Sequence, residues 1–407
     1  VSVGYMDPGN WATDLEGGAK YEYTLLFVVF LSNLMAVVLQ HLALKLGVAA
    51  GKDLAQMCRI QYGYYWNITL WLLAEVSIAA CDVAEVIGSA VALQLLFNIP
   101  LFFGVLLTAA DVLVILFIEQ KNFRMLELVV GSLILLISGC FAYELWLSSP
   151  EWGAVLYGIL PQASLVTDKR QLLIGVGILG ATVMPHNLYL HSAIVQTRAY
   201  ARTTRYKKRA IKIATIDSTI ALCFAFFVNA AILILSASTF HGTKNQDVTE
   251  IADAFRLLSP TLGAVGASTI FAIALLGSGQ NSTITGTLAG QIIMEGFVNI
   301  RLRPWVRRLM TRGLAIIPAA FIAAVAGEHG VGRLLLFSQV VLSLQLSFAV
   351  VPLVMFTADR KVVGREFVNS RALNWVSLII TLAIMGLNGF LVVQSLIDFW
   401  HGKVPSM

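Results

Sequence analysis

Eleven apolar segments run through this chain of 407 residues, each near the roughly 20 residues that a helix needs to cross a hydrocarbon core. They fall at 1–17, 22–46, 65–92, 100–118, 124–147, 171–197, 211–238, 262–294, 305–326, 331–356 and 373–399. Inside lipid, backbone N–H and C=O groups find no water, so segments of this length must close their own hydrogen bonds as helices. The fold class is therefore an all-α membrane protein. Charged residues make up only 13% of the chain and the mean hydropathy is +0.79, whereas soluble domains carry about 25% charged residues. The stretch from Pro150 to Asp168 is too polar and too broken to cross, and it is placed as a surface loop. Thr249 to Ser259 reads as a short amphipathic lead-in to the eighth span.

Charge in the loops sets the orientation. The loops 45–64, 119–124, 198–212, 295–312 and 357–372 hold 21 of the 28 lysines and arginines, and the opposite side holds seven. That bias predicts a multi-pass protein of the cell (inner) membrane with its N-terminus in the cytoplasm and its C-terminus outside. The basic run Arg198 to Lys212 joins two spans directly, so it reads as a topology anchor and not as a nucleic-acid patch. The opening residues Val1-Ser2-Val3-Gly4-Tyr5-Met6 carry no basic flank of a signal peptide. Cys58, Cys81, Cys140 and Cys223 show no CxxC spacing and read as small apolar filler.

Two spans break the helix rules. The first contains Asp7-Pro8-Gly9-Asn10 and the sixth contains Ala181-Thr182-Val183-Met184-Pro185-His186-Asn187. Proline removes a backbone donor and glycine weakens a helix, and polar side chains at the same points are costly in hydrocarbon. One interruption opening each block of five spans is the signature of inverted repeats with unwound backbone at a mid-membrane site. The repeats are expected over 1–147 and 171–356, with 373–399 outside the symmetry. Only six residues precede Asp7, so the inner half of span one is about 9 Å long, too short to reach the cytoplasmic surface.

Ligand chemistry then narrows the cargo. Asp7 offers a hard anionic oxygen, Asn10 an amide oxygen one turn on, and Pro185 leaves the Ala181 carbonyl without its helical donor. Met184 adds a thioether, of little use to Mg²⁺ or Ca²⁺ but suited to later first-row ions. Mixed oxygen and sulfur donors point to a divalent transition metal such as Mn²⁺ or Fe²⁺.

Asp-Pro-Gly-Asn at 7–10, Met-Pro-His-Asn-Leu-Tyr-Leu-His-Ser at 184–192 and Gly279-Gln280-Asn281-Ser282-Thr283-Ile284-Thr285-Gly286-Thr287 resemble, in order, three signatures of the Nramp family of proton-coupled divalent-metal transporters. The third departs in having Asn281 where serine is common. The resemblance runs through essentially the whole chain and is to the bacterial, eleven-span branch. It implies a LeuT-type fold, alternating access, import of Mn²⁺ or Fe²⁺ (with Cd²⁺, Co²⁺ and Zn²⁺ as further substrates) together with protons, and metal contact by Asp7, Asn10, Met184 and the Ala181 carbonyl. It also implies a place in the metal shell for Gln339, proton handling by His186 along with Asp7, and a gate role for Asn229.

Span three carries Glu75, Asp82 and Glu85, which fall within about 80° of one another on a helix. Each ionised carboxylate near mid-bilayer costs roughly 2.5–3.5 kcal/mol on the lenient insertion scale. Three on one face therefore imply a wet or paired path, with Arg307 and Arg308 near the inner end of span nine as partners. The resemblance reads this face as a proton route; a buried ion-pair network holding helices together is the bland alternative. His186 and His191 are five residues apart, about 140° around a helix, and do not form a two-histidine metal site. Asn33, Asn229 and Asn388 read by default as hydrogen-bond glue between spans.

Three other functions compete. An amino-acid or organic-cation carrier of the same fold would have no use for Met184 beside a carboxylate. A non-transporting receptor or scaffold would need a soluble region to carry a signal. An enzyme would need a nucleophile and base or an HExxH motif, and the sequence has neither. No resident cofactor is expected, the metal and protons being cargo, and the working unit is expected to be a monomer in the bilayer.

Overall fold

Helix starts are written in short polar side chains and helix ends in residues that tolerate left-handed backbone. Asp7 caps the first helix by accepting the Asn10 N–H at 3.0 Å, Asp53 caps another through Gln56 N–H at 2.8 Å, and Asp168 caps a third through Arg170 N–H at 2.9 Å. Gly51, Asn98 and Asn299 close helices at φ +66°, +55° and +57°. The computed structural model describes residues 5–108, 123–243, 251–263, 266–300, 303–325 and 331–400.

In chain order the helices are α1 Pro8–Tyr21, α2 Leu26–Ala50, α3 Leu54–Gln61, α4 Tyr64–Phe97, α5 described over 101–108, α6 Phe123–Ser148, α7 Trp152–Gly158, α8 Ser164–Thr167, α9 Lys169–Thr182 and α10 Pro185–Ile194. They continue with α11 Thr204–Phe240, α12 Ile251–Leu262, α13 Ala267–Val298, α14 Pro304–Val325, α15 Val331–Ala358, α16 Arg360–Val363 and α17 Arg371–Trp400. No strand occurs among the described residues. Seven of the described helical stretches are long and apolar enough to cross a membrane, counting α9 and α10 as one broken span. Of the other four expected spans, α1 is short, α13 carries Gln280 and Asn281 mid-length, and the fourth and ninth run partly over residues outside the described set. Large apolar side chains such as Phe103, Leu135, Ile220, Phe321 and Leu382 lie exposed on the outer faces, where lipid is their natural solvent.

The short α1 is the hub. It lies along α11 and α9 and also meets α15 and α4, while α13 lies along α4. Close approach depends on missing side chains. A methyl group on Gly88 of α4 would run into the Pro8 ring, and one on Gly18 would meet the Leu233 carbonyl of α11. Trp11 is fully buried, with its ring centroid 4.9 Å from that of Phe141 and 5.0 Å from that of Phe271.

Two expectations change. The stretch 150–168, expected as a plain surface loop, folds into α7 and α8, with Val155 and Gly158 packed inward. Lys45, Arg307 and Arg312, counted among loop charges in the orientation argument, are buried within helices. Lys45 donates to the Asn369 side-chain oxygen, and the two arginines meet carboxylates. An apolar stem buries well while its charged head finds a partner, so nearness to a span end does not make a residue part of a loop. Amphipathic α12 does form where the lead-in to the eighth span was expected.

Candidate functional site: the two helix breaks

The chain folds so that its two proline-led breaks face each other. Asp7 stands just outside α1 with extended backbone (φ −72°, ψ 164°), and Pro8 supplies the first helical residue. Opposite, α9 ends at Thr182, Val183 leaves helical geometry (φ −101°, ψ 77°), and Met184 precedes Pro185 at the start of α10. Pro185 cannot donate to Ala181, and the Ala181 carbonyl instead accepts from Asn10 Nδ2 at 3.2 Å. The same amide group reaches Asp7 Oδ1 at 2.8 Å and the Tyr5 carbonyl at 3.1 Å. Asp7, Asn10, Ala181, Met184 and Gln339 are all fully buried.

Satisfaction is incomplete here. Among the described residues, Asn10 Oδ1 and Gln339 Oε1 have no hydrogen-bond partner, and Asp7 Oδ2 accepts none of ordinary geometry. Gln339 lies beside Gly9, where any side chain would collide with its amide. Met184 packs with Cys81 of α4 and Leu342 of α15. Buried polar atoms in native structures are normally paired, so three unsatisfied oxygens around one carboxylate mark a place suited to a cation. Among the described residues no group of three His, Cys, Asp or Glu side chains gathers; an ion at the breaks would be held by mixed donors.

A second polar region runs from the breaks along α4. His186 Nε2 lies 4.0 Å from Cys81 Sγ, and Cys81 Sγ lies 3.4 Å from Glu85 Oε1. Ser282 donates to the same Glu85 oxygen at 2.8 Å. Arg312 Nη1 sits 3.5 Å from Glu85 Oε2 and 3.8 Å from Asp82 Oδ1, while its Nη2 donates to Thr283 Oγ1 at 3.0 Å. Farther along, Glu75 takes Arg307 Nη2 at 2.9 and 3.0 Å and Trp71 Nε1 at 3.0 Å.

The structure thus brings Asp7, Asn10, Ala181, Met184 and Gln339 to the breaks and joins Glu75 to Arg307. Asp82 and Glu85 are served by Arg312, which sequence reasoning missed; the side chain of Arg308 lies outside the described residues. The available signal was depth, since Arg312 sits farther into apolar sequence than Arg307 and so needs a carboxylate more. Cys81 and Ser282 left no such signal. Asn229 donates to the Tyr5 carbonyl at 3.0 Å, tying α11 to the segment before α1, while His191 pairs with Gln40 and Asn388 donates to the Ser343 carbonyl at 2.6 Å, each joining two helices. A cavity of about 850 Å³ lies elsewhere, where the Arg198 to Arg209 stretch meets α10.

Comparison with known proteins agrees over the full length. A family model described as Nramp, natural resistance-associated macrophage protein-like, matches residues 1–394. A divalent metal cation transporter MntH of Nostoc sp. is 56% identical over 406 residues, covering 100% of this chain and 91% of its own. Another from Mesorhizobium japonicum is 58% identical over 387 residues, covering 94% of this chain and 85% of its own. A mutant of the Eremococcus coleocola manganese transporter, solved by crystallography, superposes with a TM-score of 0.91 at 38% identity, covering 100% of this chain and 87% of that one. MhsT, crystallised with L-phenylalanine, superposes with a TM-score of 0.56 at 14% identity, a likeness of LeuT-type fold alone.

Proposed function

The chain belongs to the Nramp family, and from that premise we propose that it imports divalent transition metals, Mn²⁺ and Fe²⁺ first, together with protons by alternating access. One observation carries the reading: Asn10 spans the two breaks beside Asp7, with Asn10 Oδ1, Gln339 Oε1 and Asp7 Oδ2 left unsatisfied in a fully buried space. Asp7 supplies the charge that a divalent ion needs, and the asparagine, glutamine and Ala181 carbonyl oxygens replace water. The Met184 thioether favours softer ions over Mg²⁺ and Ca²⁺. No side-chain oxygen here belongs to a second carboxylate, so one net charge is left on the ion for water or substrate anions to balance.

Protons leave the breaks by His186, Cys81 and Glu85 and continue through Asp82 and Glu75, with Arg312 and Arg307 offsetting the carboxylates. The halves 1–147 and 171–356 move as inverted repeats around the breaks, and 373–399 stands outside them. The N-terminus faces the cytoplasm and the C-terminus the exterior. Radiolabelled Mn²⁺ uptake into liposomes carrying the reconstituted chain, with an acid exterior, tests the proposal. Uptake that rises with the acid gradient and acidifies the lumen supports it. Uptake of amino acids or organic cations in place of Mn²⁺ overturns it.

A further inference from the structure

One buried carboxylate on α1 has neither a partner among the described residues nor a part in the transport reading. Asp14 on α1 is 1% exposed, and both its oxygens lack a hydrogen-bond partner among the described residues. Seven residues from Asp7, it lies on the same helix face to within about 20° and about 10 Å farther along the axis. Its surroundings are closely packed. A methyl group on Gly17 would touch Leu25, one on Gly18 would meet the Leu233 carbonyl and Ala237 nitrogen, and one on Gly177 of α9 would press on Thr13. Such packing holds no hydrated ion. An ionised carboxylate taken from water without a partner costs several kcal/mol, and a neutral acid avoids that cost, so Asp14 carries its proton in this arrangement.

We propose that Asp14 is a proton-loading group: the outer half of α1 closes against α9 and α11 only once this carboxylate has taken a proton from the outer water. The inference rests on the transport reading above. When the helices part, water reaches Asp14 and the carboxylate is ionised. A proton from that water then forms an O–H bond at one Oδ, the charge goes from −1 to zero, and the helices pack. On reopening, the O–H bond breaks and the proton passes to the water that arrives.

Asp7, of like charge, faces Asp14 from about 10 Å along the same helix; the other titratable groups around α1 are otherwise engaged or distant along the axis. Glu16 pairs with Lys20 on α1 itself, and His241 beyond α11 lies 3.9 Å from Glu22. Asp253 and Arg256 pair on α12, Lys169 and Arg170 start α9, and Glu75, Asp82 and Glu85 of α4 meet arginines. Asp217 and the basic run stand at the far end of α11, Glu295 ends α13, and on α15 the side chain of Arg333 lies outside the described residues. Glu144, one turn beyond Phe141 on α6, is a second buried carboxylate without partners among the described residues, so it enters the test as a control.

Mn²⁺ uptake by the reconstituted full chain is measured against outside pH, with a lumenal pH dye and with Mn²⁺ affinity by calorimetry. If closure needs one proton, wild-type uptake falls by up to about tenfold per unit of rising pH once the group ionises in the open state. Asp14→Asn, a neutral isostere, is expected to flatten that slope while keeping Mn²⁺ affinity within about twofold. Asp14→Glu is expected to restore the slope and Glu144→Gln to leave it unchanged. If Asp14→Asn does not assemble, Asp14→Ser carries the same expectation. An unchanged slope overturns the proposal, as does flattening by Glu144→Gln alone, or loss of affinity that would make Asp14 a metal ligand. A wild type whose dye records no metal-driven proton movement removes the coupling reading, and the pH slope still judges Asp14 separately.

Discussion

At the helix breaks, Asp7 and its amide neighbours are buried with oxygens left unsatisfied among the described residues. Along α4, by contrast, Glu75, Asp82 and Glu85 are each within 4 Å of an arginine nitrogen. Both regions put charge where charge is costly, but among the described residues only the α4 carboxylates meet opposite charges. A network of paired charges is balanced without a ligand. An incomplete one binds what completes it. Polar burial alone therefore does not mark a cation site; unpaired carboxylate and amide oxygens gathered from two helix breaks mark the candidate.

The difference between the two regions rests most heavily on Asp7. Asp7→Ala removes the only carboxylate at either break, and Mn²⁺ uptake into liposomes is expected to fall to background with the protein still folded. Transport at the wild-type rate would show that the breaks do not hold the ion. Next in size is Arg312→Leu, which strips both Asp82 and Glu85 of their partner. Leaving buried charge uncompensated costs about 3–5 kcal/mol, so thermal unfolding in detergent should shift well down, and Asp82→Asn with Glu85→Gln in the same chain should recover much of the loss. An unshifted transition would mean that the α4 carboxylates are already satisfied without Arg312.

Met184→Ala sharpens the other side of the comparison. With the sulfur gone, the remaining donors are oxygens, and Cd²⁺ should lose about tenfold against Mn²⁺, or about 1.4 kcal/mol, while Ca²⁺ and Mg²⁺ gain. Competition of each ion against labelled Mn²⁺ measures this, and an unaltered ranking assigns Met184 to packing. Smallest is the exposed Lys208–Glu366 pair, at 2.5 Å. The Lys208 ammonium holds the Glu366 carboxyl below its ordinary value. The resulting stability is present above the ordinary glutamate range and is lost as pH falls through the lowered value. In solvent such a pair is screened, so Glu366→Gln should leave the neutral-pH unfolding temperature unchanged.

The breaks were legible because Pro8, Gly9, Pro185, Asp7, Asn10 and His186 each violate a helix or solvation rule that acts on a single chain. Helix positions followed for the same reason: apolar length is a local property. The partner of Asp82 and Glu85 was not legible, because pairing α4 with α14 is a fact of three-dimensional packing. Counting charges by sequence had placed Arg312 in a loop, and only the depth of its helix corrects that. Cys81 and Ser282 were unreadable for a simpler reason. A thiol or hydroxyl in a span costs little and bonds its own backbone readily, so its presence announces nothing until a carboxylate is seen beside it.

Trp11 follows Asn10 directly, enclosed by Phe141 and Phe271, whereas Trp66, Trp146, Trp152 and Trp375 are exposed on the protein surface. An indole in a dry aromatic cage emits at shorter wavelength than one in a polar setting, and its emission responds to nearby charge. The chain therefore carries a native optical probe one residue from the candidate metal site. A shift at the blue edge of its fluorescence on adding Mn²⁺ is the expected sign of an ion at the breaks, read without a label and without altering any residue proposed to touch the ion.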